Sequence, residues 1–354
     1  MDISHDLQNR LSLALENNQP VAIAAGQSKD FYGREICGEK LSVSAHAGVI
    51  DYDFRELVVT VRSGTSLIEL QKVLSESNQM LPFEPPVYSG MDTIGGVLAC
   101  GFSGPGRAYY GSARDFVLGC TLLNGKAEQL KFGGRVMKNV AGYDVSRLMT
   151  GAMGTLGLLL DVSLKVLPKP ETEKTLVIEK PLNDSIEFIN SLETQRLPVT
   201  ASAYHENRLY LRLSGLESTL DHYLKKLQSD SVETDSHFWQ QLKDQQLDFF
   251  KTDKTLWRFS LPPSTLPLDL KGSTLYEWRG AQRWFIAEDN EISTEEILSV
   301  VKRAGGHATQ FKNGDRQGEV FTTLPDVLKK YHIKLNQAME PYGNLNPGRL
   351  FSLL

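Results

Sequence analysis

The sequence predicts an α+β fold of two unequal domains, and three observations carry that prediction. Residues 1–80 alternate helix-like and strand-like pieces. A polar, proline-punctuated stretch, PKPETEK at 168–174, reads as a domain boundary. Beyond it, short strand-like and helix-like segments are mixed up to about residue 310. A chain of 354 residues is long enough for two domains and a large core.

The elements follow in order. Residues 4–18 place Leu7, Leu11 and Leu15 on one helical face, and Pro20 stops that helix. VAIAA (21–25) is a short buried strand, and GQSKDFYG (26–33) is a turn-rich loop after it. ELVVTVRSGT (56–65) is a strand entering a turn. Ser66 and Glu69 then form a capping-box pattern for a helix with Leu67, Leu70 and Leu74 on one face. From 81 the texture changes to a proline-rich loop, LPFEPPVYSG, and a glycine-rich run, MDTIGGVLACGFSGPGRAYYGS. DFVLGCTLLNGKAEQLKFGG (115–134) predicts a hairpin turning at Asn124-Gly125. Within KNVAGYDVSRLMTGAMGTLG (138–157), Val145, Leu148 and Met149 have the spacing of a short buried helix between two glycine-rich turns, with Asp144 as its N-cap. Leu156, Leu158, Leu160, Val162, Leu164 and Val166 give the period of a half-buried strand. Trp278, Trp284 and Phe285 alternate with polar residues as a strand does, and Pro325 opens a last helix at 325–340. The runs 288–291 and Lys329-Lys330 read as solvated faces.

Composition excludes several functions. Acidic residues number 43 against 38 Lys plus Arg, the net charge is −5, and no basic stripe marks a nucleic-acid surface. The three cysteines, Cys37, Cys100 and Cys120, make no C-x-x-C pair, which argues against a disulfide framework, a zinc ribbon or an iron–sulfur cluster held by this chain alone. Cys100 and Cys120 read as small buried hydrophobes. The N-terminus is polar and acidic, unlike a secretory signal, and no apolar run approaches the ~18 residues of a membrane span. A cytoplasmic protein is expected, touching a membrane only through partners.

The chemistry is concentrated in the glycine clusters. Glycine permits close backbone approach and positive φ, so that backbone N–H groups can face an anion. The loop at 24–30 follows a buried strand, and Asp92-Thr93-Ile94-Gly95-Gly96 opens a short apolar helix; together they have the form of two lobes of a pyrophosphate cradle. Neither is a Walker A loop or a G-x-G-x-x-G fingerprint, and either alone is also what a purely structural turn looks like.

In combination these segments resemble a known family. PFEPP (82–86), TIGGVLACGFSGPGRAYYGSARDFVLG (93–119) and FGGRVMKNVAGYDVSRLMTGAMGTLG (132–157), with weaker echoes in EWRGAQRWF (277–285) and NPGR (346–349), are similar to the FAD-binding domains of the p-cresol methylhydroxylase/vanillyl-alcohol oxidase superfamily. Within it they resemble the FAD-binding E subunits of glycolate oxidase, a bacterial glycolate dehydrogenase. The resemblance implies a two-lobed FAD-binding domain of this type over 1–170 and a smaller α+β cap over 171–320. It also implies a C-terminal helix and tail, 321–354, that return to the FAD domain. It assigns the pyrophosphate to Ala24, Ala25, Gly26, Gln27, Ser28 and Lys29. Thr93, Ile94, Gly95 and Gly96 would follow the pyrophosphate and ribityl chain. Gly101, Ser103, Gly104 and Ser112 would run beside the isoalloxazine. Gly151, Gly154, Thr155 and Gly157 would lie near the adenine half. The implied activity is oxidation of glycolate to glyoxylate. The implied partners are a larger FAD-containing catalytic subunit and an iron–sulfur subunit leading toward quinone.

The first loop departs from the family pattern. Relatives carry R-G-G-G-S-K where this chain has A-A-G-Q-S-K, so a positive charge is missing and only Gly26 relaxes the backbone. Weaker FAD binding is the expectation, and without a histidine in the loop the flavin is expected to be non-covalent. The seven histidines (His5, His46, His205, His222, His237, His307 and His332) never fall within four residues of one another, and no Glu-His pair occurs. No metal site and no general base is evident locally, so this chain is not expected to oxidise glycolate alone. Two other readings stand beside the subunit: a self-sufficient FAD-dependent 2-hydroxy-acid oxidoreductase, and a scaffold that has lost FAD. Lys29 reads either as a phosphate partner or as a surface lysine. Arg107 and Arg114 read as carboxylate-binding groups or as structural ion pairs, Arg114 with Asp115.

Overall fold

The N-terminal helix, Ser4–Glu16, buries Leu7, Leu11 and Ala14, as its apolar spacing dictates. These side chains pack on Val21, Leu41, Leu123, Leu158, Leu160 and Leu345, so one core gathers both ends of the chain and its middle. The computed structural model describes residues 1–134, 143–195, 197–227, 231–233, 237–288 and 292–354. Ala141 and Gly142 of the glycine-rich stretch, and 289–291 of the acidic run, lie outside the described residues.

The chain divides into two packed units. The first comprises Met1–Phe102, Ser112–Pro168 and Asp315–Leu354; the second comprises Ser103–Gly111 and Lys169–Gly314. In the first unit, Val21–Ala24 pairs in parallel with Glu39–Ser42. Val21 also bridges in parallel to Leu345. A five-stranded antiparallel sheet runs in the order Val49–Asp53, Val58–Arg62, Leu158–Lys165, Val117–Leu123, Gln129–Gly133. In its central strand Leu158, Leu160, Val162 and Leu164 are buried, the period-2 face expected from the sequence.

The predicted hairpin forms, with one local difference. Leu123 pairs with Gln129, so the connection is the five residues 124–128 rather than a two-residue Asn-Gly turn. Asn124 explains the longer loop: its side-chain oxygen accepts from the backbone N–H groups of Lys126 and Glu128, each at 2.9 Å. Ser66 caps the helix Leu67–Glu76 by accepting from the Glu69 N–H, and that helix buries Leu67, Leu70 and Leu74. Asp144 caps the helical turn Val145–Leu148 in the same way.

The second unit is built on an eight-stranded antiparallel sheet. Its order is Ser231–Glu233, Thr172–Glu179, Arg208–Gly215, Val199–His205, Gly272–Glu277, Gln282–Ala287, Leu256–Ser260, His307–Lys312. Trp284 and Phe285 lie in one of these strands. Trp278 does not: Trp278, Arg279 and Gly280 turn the chain with φ of 52°, 63° and 90°. The turn is held from both sides. Buried Glu277 accepts from Gln282 Nε2 at 2.9 Å and from Trp284 Nε1 at 2.6 Å. The Arg279 N–H donates to Ser202 Oγ.

Candidate functional site

The first unit contains a cavity of about 420 Å³, within the roughly 300–1,000 Å³ of ordinary ligand pockets. Its wall brings together the loop from Ala24 to Asp30, Thr93, Gly95 and Gly96, the turn at Gly154 and Gly157, and Ser63. The C-terminal residues Arg316, Asn346 and Arg349 complete it. Of the residues expected at a dinucleotide, Ala25, Gly26, Gln27, Ser28, Lys29, Thr93, Gly95, Gly96, Gly154 and Gly157 line this one space.

The loop is shaped for an anion. Among the described residues, the backbone N–H groups of Ala25 to Lys29 have no hydrogen-bond acceptor within the protein, and Gln27 turns the backbone with φ 56°. Successive free amides around a left-handed residue make an anion-binding concavity. Gly26 is required there for a simple steric reason. A Cβ at that position would stand 1.5 Å from the Met91 carbonyl oxygen, so only glycine lets the two chains pass. Ser63, 1% exposed, has a buried hydroxyl without a hydrogen-bond partner among the described residues. A buried orphan hydroxyl at a cavity wall is a group waiting for a ligand or water.

The Gly95 and Gly96 amides play another part. Gly95 N–H donates to Ser63 O at 2.8 Å and Gly96 N–H to Thr93 Oγ1 at 3.2 Å. Their donors are therefore already engaged; what they give the cavity is a wall without side chains.

Lys29 lines the cavity but is not a surface lysine. It is 6% exposed and forms an ion pair with Asp92, itself 1% exposed. Asp92 is further satisfied by Ser28 Oγ at 2.6 Å and by Ser89 N–H at 2.7 Å. The charge of Lys29 is thus balanced within the protein.

Other expected residues fall elsewhere. Ile94 is fully buried in the core, and Thr155 donates its hydroxyl to Ala152 O. Gly101 ends its helix in the left-handed conformation beside Gly151, so these two pack on each other. Ser112 forms a capping box with Asp115, which is therefore bonded to Ser112 and not reserved for Arg114. Arg114 donates to Thr150 O. Ser103 and Gly104 belong to the second unit, where Trp278 Nε1 donates to Gly104 O at 2.9 Å and the Arg107 guanidinium lies over the Trp278 ring. Cys120 is buried, which pushes its thiol up to about 12 and leaves it inert, whereas Cys37 and Cys100 border the cavity. His46 is buried and structural, accepting from Ile3 N–H and contacting Asp161.

Sequence reasoning missed Ser63 and Arg316 at the cavity. Arg349 and Asn346 were within reach, because NPGR is one of the family echoes. Nothing around Arg316, in NGDRQG, distinguishes it from a surface turn.

Residues 4–133 match the family model described as FAD binding domain. Over its whole length the chain is 42% identical to the glycolate oxidase subunit GlcE of Escherichia coli (strain K12), covering 100% of this chain and 99% of that one. The chain belongs to the GlcE family. GlcE-family membership and the matched domain make it an FAD-binding protein of the FAD-linked oxidoreductases, as the motifs implied. It is also 33% identical to the glycolate oxidase subunit GlcD of Bacillus subtilis (strain 168), over 36% of this chain and 27% of that one. In three dimensions it resembles an alkyldihydroxyacetonephosphate synthase, with TM-score 0.68 and 15% identity, covering 98% of this chain and 76% of that one. Together with the matched FAD-binding domain, that likeness bears out the expected α+β fold. No helix among the described residues is long and apolar enough to cross a membrane.

Proposed function

We propose that this GlcE-family chain is the FAD-binding subunit of a glycolate oxidase complex that converts glycolate to glyoxylate. Its partners are a larger, GlcD-like FAD subunit and an iron–sulfur subunit that carries electrons toward quinone. The observation that supports this most directly is the cavity walled by the free amides of residues 25–29, inside a domain of the FAD-binding family. Bound there, FAD would supply a redox group able to accept two electrons. The residues of this chain hold and orient the cofactor: the 25–29 amides face its phosphates, Gly26 permits the loop to close on Met91, and the side-chain-free surface at Gly95 and Gly96 admits its length.

The test begins with the visible absorbance of the purified chain before and after acid precipitation. A flavin spectrum that moves to the supernatant is the expected result and marks non-covalent FAD. Glycolate-dependent reduction of an artificial acceptor should then require the larger subunit. Full turnover by this chain alone would replace the subunit reading with a self-sufficient oxidoreductase. Absence of flavin even after incubation with excess FAD would leave a scaffold.

A further inference from the structure

The cavity wall contains a second feature that its first loop does not explain. Arg316 and Arg349 both border it, and both donate to the backbone carbonyl of Arg34. Arg316 Nε donates to Gly33 O at 2.8 Å, and Arg349 donates to Arg34 O at 3.0 Å and to Asp30 O at 3.4 Å. Arg34 itself donates to Gly348 O and Gly318 O. All of these acceptors are neutral carbonyls. Among the described residues, none of the three guanidiniums has a carboxylate within ion-pair distance.

Two acids also border the same cavity, and neither is ion-paired with these guanidiniums among the described residues. The exposed Asp30 carboxylate accepts from Gln27 Nε2 at 3.0 Å, and the exposed Glu35 carboxylate from Gln317 Nε2 at 3.0 Å. Burial and the neighbouring Arg316 charge both push the Arg349 guanidinium's affinity for its proton down, and Cys100 and Asp30 partly offset this. Guanidinium remains charged in proteins, so the cluster holds like charges together with no carboxylate in direct contact among the described residues. Such an arrangement is stabilised by an anion from outside the chain.

We propose that Arg316 and Arg349 receive a diphosphate, and that it is the diphosphate of the dinucleotide held by the 25–29 loop. This rests on the function proposed above and adds to it. The loop contributes amide donors but no net charge, because Lys29 is neutralised by Asp92. The charge that the A-A-G-Q sequence lacks is supplied from the C-terminal segment. Guanidinium is suited to the task because its planar donors match phosphate oxygens in pairs.

The experiment measures binding of FAD and of riboflavin, which has the flavin ring without phosphates, to flavin-free protein. Arg316→Gln and Arg349→Gln are each expected to weaken FAD by about ten- to a hundredfold, the range of a hydrogen bond to a charged group. Riboflavin binding should stay within about threefold of wild type, since it offers these donors no charge-assisted partner. Arg316→Lys and Arg349→Lys keep the charge but lose the paired donors, and should bind FAD more tightly than the glutamine variants and less tightly than wild type. They also provide a comparison if a glutamine variant folds poorly by circular dichroism.

A separate arm uses inorganic pyrophosphate and inorganic phosphate without flavin. Pyrophosphate should raise the melting temperature of the wild type more than phosphate or sodium chloride of equal ionic strength, and should not do so in the double glutamine variant. Wild-type binding of FAD that the double variant matches would overturn the arginine assignment and leave the proposed function standing. A wild type that binds no FAD would sink the proposed function, and the pyrophosphate arm would still decide whether the arginines form a diphosphate site. No selective stabilisation by pyrophosphate in a wild type that does bind FAD would also overturn the assignment.

Discussion

Lys29 sits in the loop where a phosphate partner is expected, and its charge is held by Asp92 instead. Both groups are almost completely buried, so removing one leaves the other as an uncompensated charge in a poorly solvated site. Lys29→Met and Asp92→Asn should therefore each destabilise the protein by about 3–5 kcal/mol, and the double variant by clearly less than their sum. Urea unfolding of the four proteins measures this. Additive losses would mean that the pair does not act as a unit. A large change in FAD affinity on Lys29→Met with unchanged stability would return Lys29 to the ligand. At this scale, the legible residues were those whose role depends on near neighbours. Ser66 and Asp144 were readable as caps because the N–H each accepts from lies three residues on. The partner of Lys29 lies 63 positions away, a separation that local pattern does not encode.

Three short segments of the first unit are joined by one side chain. Asn346 Oδ1 accepts from Ile23 N–H at 2.7 Å, and its Nδ2 donates to Met153 O at 2.6 Å. The Asn346 backbone N–H donates to Val21 O at 2.9 Å. The strand that leads into the 25–29 loop and the turn that carries Gly154 are thereby set at a fixed separation. Gly154, at φ 77°, has no room for a Cβ because Asn346 Nδ2 would stand 2.5 Å from it. Asn346→Ala should cost about 1–3 kcal/mol for each buried group left unpaired, and should weaken FAD by releasing two cavity walls from each other. Thermal unfolding with and without FAD measures both effects. A variant as stable as wild type, with equal FAD affinity, would show that the turn is held by its other contacts. The elements themselves were largely legible, because apolar period settles them: Leu7 and Leu11 on a helix, Leu158 to Leu164 on a strand. The 278–280 turn was not, because alternation of Trp278, Trp284 and Phe285 with polar residues looks continuous. Only the buried Glu277 network shows why the chain reverses there.

The first unit closes on its own ends. Val21 N–H donates to Asn344 O, Val21 bridges to Leu345, and Leu345 joins the core under the N-terminal helix. Both termini therefore contribute to the cavity, the first through the 24–30 loop and the last through Arg316, Asn346 and Arg349. The glycine-rich half of this site could be read from the sequence; the cationic half could not, since roughly 290–320 positions separate arginines from loop and only folding brings them together. A ligand that binds the folded state stabilises it by mass action, by about 2.7 kcal/mol at a hundred times its Kd. If FAD touches both halves, that stabilisation is shared by segments far apart in the chain. Hydrogen exchange with saturating FAD should then slow the amides of residues 25–29 and, in the same titration, those of 344–349. Deleting residues 341–354 should abolish the protection of residues 25–29, because it removes Asn346, Arg349 and the bridge to Val21 together. Protection of 25–29 without any change at 344–349 would place the cofactor on the loop alone and exclude the C-terminal segment from the site.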